Sequence, residues 1–293
     1  MTHDDDARLR LHSDLADRLG DWGFSPAARL RLLNLSENTV FLAEEGARRA
    51  VLRVHRPGYH RSAEIASELA WIAALRAEGV VDTPAPIPGA DGRLSRSLIP
   101  GMAEPIVTAF DWVPGRSPEP HEDLSDWFLA LGTVTARLHH HARYWARPAG
   151  FSRKSWTVET MLGRPGQRRG EGGGHWGDWR AAVGLDPAGE ALLARAAVAI
   201  GGLLTGYGMG AERFGLIHGD LRLANLLVHG TRLSVIDFDD CGFGWFLYDF
   251  AAAVSFFEHA PSVPAVRLGC SKPAACRFAS PISTILMPWT ETR

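Results

Sequence analysis

The sequence has little cysteine, no excess of charge and no long apolar run, and each shortage excludes a class of protein. Its three cysteines, Cys241, Cys270 and Cys276, show neither zinc-ligand nor disulfide spacing, so we expect a reducing, cytoplasmic setting. A net charge of -2 provides no basic surface for nucleic acid. We find no apolar stretch that would span a bilayer, and the acidic first residues do not resemble a secretory signal. We therefore expect a globular protein without nucleic-acid or membrane partners.

The stretch that carries most information is residues 216–240. Two short apolar runs, 226–228 and 233–236, flank a polar turn at 229–232, and this pattern predicts a β-hairpin. Because a hairpin folds back on itself, a residue just before its first strand lies close to one just after its second strand. We therefore expect a polar site at the base of this hairpin.

Four polar side chains flank the predicted hairpin. His218, Asp220 and Asn225 precede it, and Asp237 follows it. Asn225 and Asp237 offer the oxygen ligands that Mg²⁺ prefers, while Asp220 can accept a hydrogen bond from an attacking hydroxyl and His218 would brace the loop. Taken singly, such residues are most often turn formers and caps. Together, in this order and at this spacing, they predict a metal-dependent catalytic site.

The catalytic loop reads H-G-D-L-R-L-A-N and the strand after it ends in I-D-F-D. This resembles the aminoglycoside phosphotransferase and choline kinase-like family more closely than protein kinases, which use H-R-D and D-F-G. The resemblance implies an α+β, two-lobed protein-kinase-like fold, with an antiparallel sheet plus helix in the N-terminal lobe and the catalytic hairpin in a mainly helical C-terminal lobe. It also implies ATP and Mg²⁺ as cofactors and transfer of the γ-phosphoryl group to a hydroxyl of a small molecule. In such a family Asp249 would tie down the catalytic loop by accepting hydrogen bonds from backbone amides.

The first part of the chain predicts two helices and three strands. Apolar residues at helical spacing predict helices at 5–19 and 62–78. Between them, strands are expected at 30–35, 39–43 and 49–55. Alternation along the third strand would point Arg53 to the face opposite Leu52 and Val54.

Arg53 and Glu68 fall where kinase-like lobes keep the ion pair that holds the α and β phosphates. The usual basic residue is Lys, so Arg53 is a departure, although Arg offers a forked and permanently charged donor. The alternative is an exposed ion pair worth about 0 to 1 kcal/mol.

Two further segments are expected to touch the nucleotide. The loop with Ser36 and Asn38 takes the place of a glycine-rich phosphate cover but contains no glycine. An apolar segment that ends in Pro114 resembles the family's interlobe linker, whose backbone from Phe110 to Val113 would read the adenine edge.

The second half of the chain predicts long helices at 124–138 and 188–207. Three histidines at 139–141 follow the first helix, and because consecutive helical positions point in different directions they indicate a helix end and not a metal site. The aromatic segment 175–179 either lines an acceptor pocket or anchors its own loop.

We predict an N-terminal nucleotide-binding lobe at 1–109, a linker at 110–116, a C-terminal catalytic lobe at 117–260 and an atypical tail at 261–293. Five prolines interrupt the tail, and its four basic residues stand against a single acid. A shifted reading frame would explain this tail, and so would a lineage-specific role. Because the tail brings no acidic field, we do not expect polycationic aminoglycosides as acceptors.

Two other functions remain open at this stage. One is a bacterial Ser/Thr protein kinase of the same fold, and the other is a catalytically impaired ATP-binding protein, which the missing Lys would explain. The sequence does not fix the oligomeric state or the acceptor.

Overall fold

The computed structural model describes residues 3–164 and 174–255. The predicted tail at 261–293 and its two explanations lie outside these residues. So does the end of the predicted C-terminal lobe, from residue 256 onward.

The N-terminal lobe is built on a five-stranded antiparallel sheet. Its strands are β1 (Arg29–Leu35), β2 (Thr39–Glu45), β3 (Arg48–Val54), β4 (Ser95–Ser97) and β5 (Ile106–Asp111), in the spatial order β1-β2-β3-β5-β4. Helix α1 (His3–Asp17) precedes the sheet, and α2 (Ser62–Ala77) follows β3. The two helices and three strands expected from the sequence are confirmed, with boundaries that differ by one or two residues at most ends.

Residues of β3 alternate between the two faces of this sheet. Leu52 and Val54 are buried in a cluster with Leu15 of α1, and each fully buried side chain of this kind contributes about 1.5 to 3 kcal/mol. Ile65 and Leu69 of α2 belong to a separate buried cluster with Ile106 of β5. Arg53, which lies between Leu52 and Val54 in β3, therefore points to the opposite face of the sheet, towards α2 and the cleft.

The C-terminal lobe contains four helices and two small sheets within the described residues. Its elements are α3 (Ser125–Tyr144), β6 (Ser155–Trp156), α4 (Val158–Leu162), α5 (Pro187–Tyr207), β7 (Phe214–Ile217), β8 (Leu226–His229), β9 (Arg232–Val235), β10 (Gly242–Trp245) and α6 (Phe246–Val254). Strands β8 and β9 form the predicted hairpin, and β6, β10 and β7 form a three-stranded sheet in that order. Phe128 and Leu138 of α3 pack with Leu226 and Val235 of the hairpin in the largest buried cluster.

The glycine-containing strand β10 lies between two other strands. It pairs antiparallel to β7 and parallel to β6. A Cβ atom at Gly242 would lie 2.6 Å from the carbonyl oxygen of Lys154 and 2.7 Å from the indole nitrogen of Trp156. Glycine is therefore needed at this position because two segments of the protein approach each other closely.

Helix α5 differs from the other long helices because none of its residues is buried. Asp186 caps it by accepting a hydrogen bond from the amide of Gly189 (2.7 Å), and Pro187 occupies its first turn. By length and composition it is long and apolar enough to cross a membrane, the one such helix in the described ranges. Glu190 and Arg195 interrupt its apolar sequence, and a single helix of this kind is weak evidence of a membrane location, so the expectation that no uninterrupted apolar stretch spans a bilayer stays a prediction.

Candidate active site

A cavity of about 510 Å³ lies between the two lobes, and it collects the residues that the sequence singled out. The predicted site residues that line it are Ser36, Asn38, Arg53, Glu68, Phe110, Val113, Asp220, Asn225 and Asp237. The remaining predicted residue, His218, is fully buried behind the lining. Side chains far apart in sequence therefore converge on one cleft.

The hairpin is tied to the interlobe linker and to the N-terminal lobe. Arg116 and Val228 exchange two backbone hydrogen bonds of 3.1 and 2.8 Å. On the other strand, the amide of Val235 donates to the carbonyl oxygen of Asp82 (2.8 Å), and Nε of Arg232 donates to the Asp82 carboxylate (2.5 Å). These contacts fix the base of the hairpin, where Asn225 and Asp237 lie, relative to both lobes.

Asp249 at the start of α6 holds the catalytic loop. Its carboxylate is fully buried and accepts hydrogen bonds from the amides of His218 (3.2 Å) and Gly219 (2.8 Å). The ring of His139 lies 2.8 Å from the same carboxylate. A buried carboxylate requires such partners, and here the partners include the loop backbone. The expectation that Asp249 is buried and anchors the loop is confirmed.

His218 joins the catalytic loop to the end of the hairpin. Its Nδ1 accepts a hydrogen bond from the amide of Asp220 (3.2 Å), so Nε2 carries the proton and donates to the carbonyl oxygen of Ile236 (3.1 Å). Burial lowers the pKa of His218, against the opposing effect of Asp249 and Asp220. The neutral imidazole thus fixes the distance between the loop that carries Asp220 and the strand that leads to Asp237.

Asn225 and Arg222 hold the carboxylate of Asp220. The Asn225 amide group donates to Oδ2 of Asp220 (2.6 Å) and to its carbonyl oxygen (2.9 Å), while Nε of Arg222 lies 3.0 Å from Oδ2. These bonds set the orientation of the Asn225 amide. Its own oxygen, Oδ1, then accepts no hydrogen bond from any described residue and remains available as a ligand.

Asp237 is the one residue other than glycine with a positive φ, 62°, in the described part of the chain. Such backbone strain is concentrated at functional sites. Although 43% of its side-chain surface is open to the cleft, the cleft walls desolvate the carboxylate. This burial raises its pKa to about 7, against the effect of Arg53 and together with the neighbouring Asp239 and Glu68 carboxylates. A cation placed beside Asp237 would relieve this repulsion.

Arg53 joins the sheet to α2 and to the hairpin. One of its terminal nitrogens pairs with Glu68, and the other lies 3.1 Å from the Asp237 carboxylate and 3.7 Å from that of Asp239. Burial lowers the pKa of Arg53, but these carboxylates outweigh it and raise the pKa. The side chains of Arg53 and Glu68 are only 6% and 0% exposed, which excludes the alternative of a surface ion pair. A forked guanidinium reaches two partners at once, which a single ammonium does less well.

The side of the cavity that the sequence predicts to bind the nucleotide is lined by the β1–β2 loop and by residues 110–115. Asn38 accepts a hydrogen bond on Oδ1 from the amide of Arg56 (3.1 Å), so its side chain supports the following segment as well as the cavity wall. Phe110 of β5 is paired with Val51 of β3, and its ring lies 5.1 Å from the guanidinium carbon of Arg53. By contrast, the backbone of Val113 makes no hydrogen bond within the described residues, so it is free to bind a ligand.

Of the two roles that the sequence left open for the aromatic segment 175–179, the structure supports anchoring of its own loop, and none of these residues lines the interlobe cavity. The indole nitrogen of Trp179 donates to the carbonyl oxygen of Leu162 (3.0 Å), which anchors the loop. Trp176 stacks on Trp156 with ring centres 5.0 Å apart and remains half exposed. The histidines at 139–141 diverge as expected: His139 faces Asp249, His141 accepts from Trp71, and His140 is exposed.

Sequence reasoning missed the basic side chains that surround Asp239. Nδ1 of His55 and Nε2 of His60 each lie 3.4 Å from its carboxylate, and Arg153 donates to its carbonyl oxygen. Burial raises the pKa of Asp239, but Arg53 and the two histidines outweigh it and hold the pKa well below its usual range. The available signal was a pair of histidines in the short segment between β3 and α2, which reads H-R-P-G-Y-H.

Comparisons with known proteins agree on one family. Residues 30–269 match the model of the family described as "Phosphotransferase enzyme family". An uncharacterized protein of Deinococcus radiodurans is 31% identical over 223 residues, which is 76% of this chain and 60% of that protein. Amicoumacin kinase of Bacillus subtilis is 24% identical over 257 residues, covering 85% of this chain and 69% of the kinase.

Among solved structures, a microcompartment-associated aminopropanol kinase superposes with a TM-score of 0.77 at 44% identity. The alignment covers 88% of this chain and 78% of that one. The chain spans 60% of the length of the Deinococcus relative, so it corresponds to part of that protein.

Proposed function

We propose that this chain, which belongs to the phosphotransferase enzyme family, transfers the γ-phosphoryl group of ATP to a hydroxyl of a small molecule, with Mg²⁺ as cofactor. The observation that carries the proposal is the convergence of Asp220, Asn225, Asp237 and Arg53 on one cavity. These residues supply a base, two metal ligands and a phosphate-binding cation. Such a set suits a reaction that is catalysed mainly by positioning and by neutralising charge.

The residues at the base of the hairpin fit a hard divalent cation. The free Oδ1 of Asn225 and the crowded carboxylate of Asp237 are the ligands we assign to Mg²⁺, which binds a few protein oxygens and leaves room for phosphate oxygens. When bound, the metal supplies neutralisation of charge on the phosphates. Arg53, already held by Glu68 and Asp237, is placed to bind the same phosphates.

Asp220 is the proposed catalytic base. Asn225 and Arg222 fix its carboxylate, and Asp249 with His218 fixes the loop that carries it. Its role is to orient the acceptor hydroxyl and accept its proton as the phosphoryl group is transferred. The free backbone of Val113 is the group we assign to the adenine edge, with Ser36 and Asn38 over the phosphates.

Amino alcohols are the first acceptors to test. One of the similar solved structures is an aminopropanol kinase that is 44% identical, and its alignment covers 88% of this chain. A polycationic aminoglycoside needs an acidic surface, and the expectation against such acceptors stands as a prediction.

A coupled assay for ADP release in Mg·ATP tests the proposal. The panel contains 1-amino-2-propanol, ethanolamine, choline, homoserine and kanamycin, and mass spectrometry identifies the phosphorylated product. We expect a phosphate ester of at least one small alcohol and none with Asp220→Asn. Nucleotide binding without turnover on any acceptor would contradict the proposal and favour an impaired protein. Label transferred from ATP to proteins of a lysate, with none to small alcohols, would favour a protein kinase.

A further inference from the structure

Asp240 is a second carboxylate beside the proposed catalytic base. It lines the same cavity as Asp220. Its backbone lies against the catalytic loop, since a Cβ atom at Gly219 would come within 2.5 Å of the Asp240 carbonyl oxygen. Gly219 also has a positive φ of 85°, so glycine meets both requirements. A molecule whose hydroxyl reaches Asp220 therefore lies close to Asp240 as well.

Side chains from both lobes fix Asp240 in place. The hydroxyl of Tyr59, from the segment between β3 and α2, donates to Oδ1 of Asp240 (2.8 Å). The indole nitrogen of Trp156, in β6, donates to the Asp240 carbonyl oxygen (2.7 Å). Within the described residues, none of the side chains assigned above to the phosphates or to the metal forms a hydrogen bond or ion pair with this carboxylate. Its position is fixed by Tyr59 and Trp156 and not by those side chains.

Asp240 forms no salt bridge with residues 3–164 and 174–255, although the Lys154 ammonium and the His60 ring lie near enough to interact with its charge. No basic nitrogen there lies within 4.0 Å of its carboxylate, and its Oδ2 accepts no hydrogen bond from them. The ammonium group of Lys154 lies instead over the ring of Tyr59, 3.1 Å from its centre. Burial raises the pKa of Asp240, the Tyr59 hydroxyl opposes this, and the Asp239 carboxylate adds to it. A ligand cation at this position would remove an unfavourable interaction.

The surroundings of Asp240 are aromatic. Tyr59 carries two cations on its ring, Lys154 and the guanidinium of Arg56 at 4.4 Å, which shows that the ring attracts positive charge. Burial and the carboxylates of Asp240 and Asp220 raise the pKa of Tyr248 to about 12, so its hydroxyl stays protonated beside both acids. A carboxylate among aromatic rings is the usual environment of a bound ammonium group.

We propose that Asp240 binds the ammonium group of the acceptor and so selects alcohols that carry an amine near the hydroxyl. This inference rests on the function proposed above. It assigns different parts of the acceptor to two carboxylates. Asp220 accepts the proton of the hydroxyl, and Asp240 binds the positively charged ammonium group. Asp240 thereby determines specificity and leaves the chemical step to Asp220.

Steady-state kinetics with two acceptors tests this assignment. The acceptors are 1-amino-2-propanol and 2-butanol, in which a methyl group replaces the ammonium. Asp240→Asn is nearly isosteric and removes only the charge. We expect KM for the amino alcohol to rise roughly 10- to 100-fold, as for loss of a charged hydrogen-bond partner, with little change in kcat. Turnover of 2-butanol should be weak in the wild type and unchanged in the variant.

Two further variants separate charge recognition from a structural effect. Tyr59→Phe keeps the Asp240 carboxylate but removes the hydrogen bond that holds it in place, so the KM for the amino alcohol should rise by a smaller factor than in Asp240→Asn. Asp126→Asn removes an exposed acid of α3 outside the cavity and should change nothing. An unchanged melting temperature and Mg·ATP affinity in Asp240→Asn would show that the fold and the nucleotide site are intact.

Failure of this inference is distinguishable from failure of the proposed function. If the wild type phosphorylates the amino alcohol and Asp240→Asn leaves its KM unchanged, the role of Asp240 is overturned while the function stands. If no alcohol is turned over, calorimetric titration of 1-amino-2-propanol into the protein with Mg·AMP-PNP still decides. Weaker binding by Asp240→Asn than by the wild type supports the assignment, and equal or absent binding overturns it.

Discussion

The interlobe cleft and the surface of α5 are built in opposite ways. In the cleft, Arg53 binds Glu68 and Asp237, residues that lie 15 and 184 positions away in the chain. On α5, large apolar side chains such as Leu203 and Val198 remain 66% and 61% exposed. The first region consists of polar groups joined by ion pairs and hydrogen bonds, and the second of apolar groups that remain exposed.

This difference separates two sources of structure. Helix α5 forms from local signals, namely the Asp186 cap, Pro187 in the first turn and the alanine- and leucine-rich residues 191–199. The cleft depends on contacts between distant segments that hold each other in place. Exchanging a cleft residue should therefore change function or stability strongly, whereas exchanging an exposed residue of α5 should change little.

The largest effect is expected for Asp220→Asn. A neutral amide cannot take the acceptor proton, so phosphoryl transfer should fall about 10²- to 10⁴-fold. Nucleotide affinity and melting temperature should stay near wild type, because Asp220 contributes to neither the sheet nor the adenine side. Rapid-quench assays of product formation measure the rate, and near-normal turnover would remove Asp220 from its role.

Glu68→Gln comes next, since it leaves Arg53 buried without its closest partner. Breaking a buried ion pair costs about 3 to 5 kcal/mol, and the remaining carboxylates Asp237 and Asp239 place the expected loss near the lower end. Urea unfolding measures it. Glu44→Gln is the matched control, because its pair with Arg49 lies on the surface of the same sheet and should contribute less than about 1 kcal/mol. Equal losses in both variants would mean that burial does not distinguish the two pairs.

Asp237→Ala should weaken metal-dependent nucleotide binding by at least about tenfold, because a metal ligand is lost. Binding of the metal-free nucleotide should change little. Calorimetry with and without Mg²⁺ separates these two quantities. Identical affinities for Mg·ATP in the variant and the wild type would argue that the hairpin has only a structural role.

The smallest effect is expected on α5. Leu203→Gln should change the free energy of unfolding by no more than about 0.5 kcal/mol, as for an exposed position. The control is Leu138→Gln on α3, a fully buried position whose replacement should destabilise the lobe severely. A large loss in Leu203→Gln would show that something covers this face in solution, and the contrast with the cleft would then disappear.

The catalytic loop could be predicted from sequence because its residues lie within a short stretch. His218, Asp220 and Asn225 lie close together in one loop. The hairpin that brings Asp237 to them turns within residues 229–232. Arg53 was placed by strand alternation, which is also a local property. In each case the spacing along the chain determines the spacing in space.

What sequence reasoning missed depends on contacts over long separations. Tyr59 and Asp240 lie 181 positions apart, and no periodicity links them. Strands β6 and β10 have two and four residues, too few to show an alternating pattern. They form because β10 pairs with β6 on one side and with β7 on the other. The histidines around Asp239, His55 and His60, were overlooked for the same reason, because Asp239 lies far from them in the sequence.

One measurement tests the central claim, that the predicted residues of the cleft form a phosphoryl-transfer site. ATP labelled at the γ-phosphate is mixed with Mg²⁺, 1-amino-2-propanol and equal amounts of wild type, Asp220→Asn or Asp237→Ala, and both bound nucleotide and labelled product are counted. We predict that the wild type binds and transfers, that Asp220→Asn binds without transfer, and that Asp237→Ala loses metal-dependent binding. Transfer by all three proteins at similar rates would contradict the account.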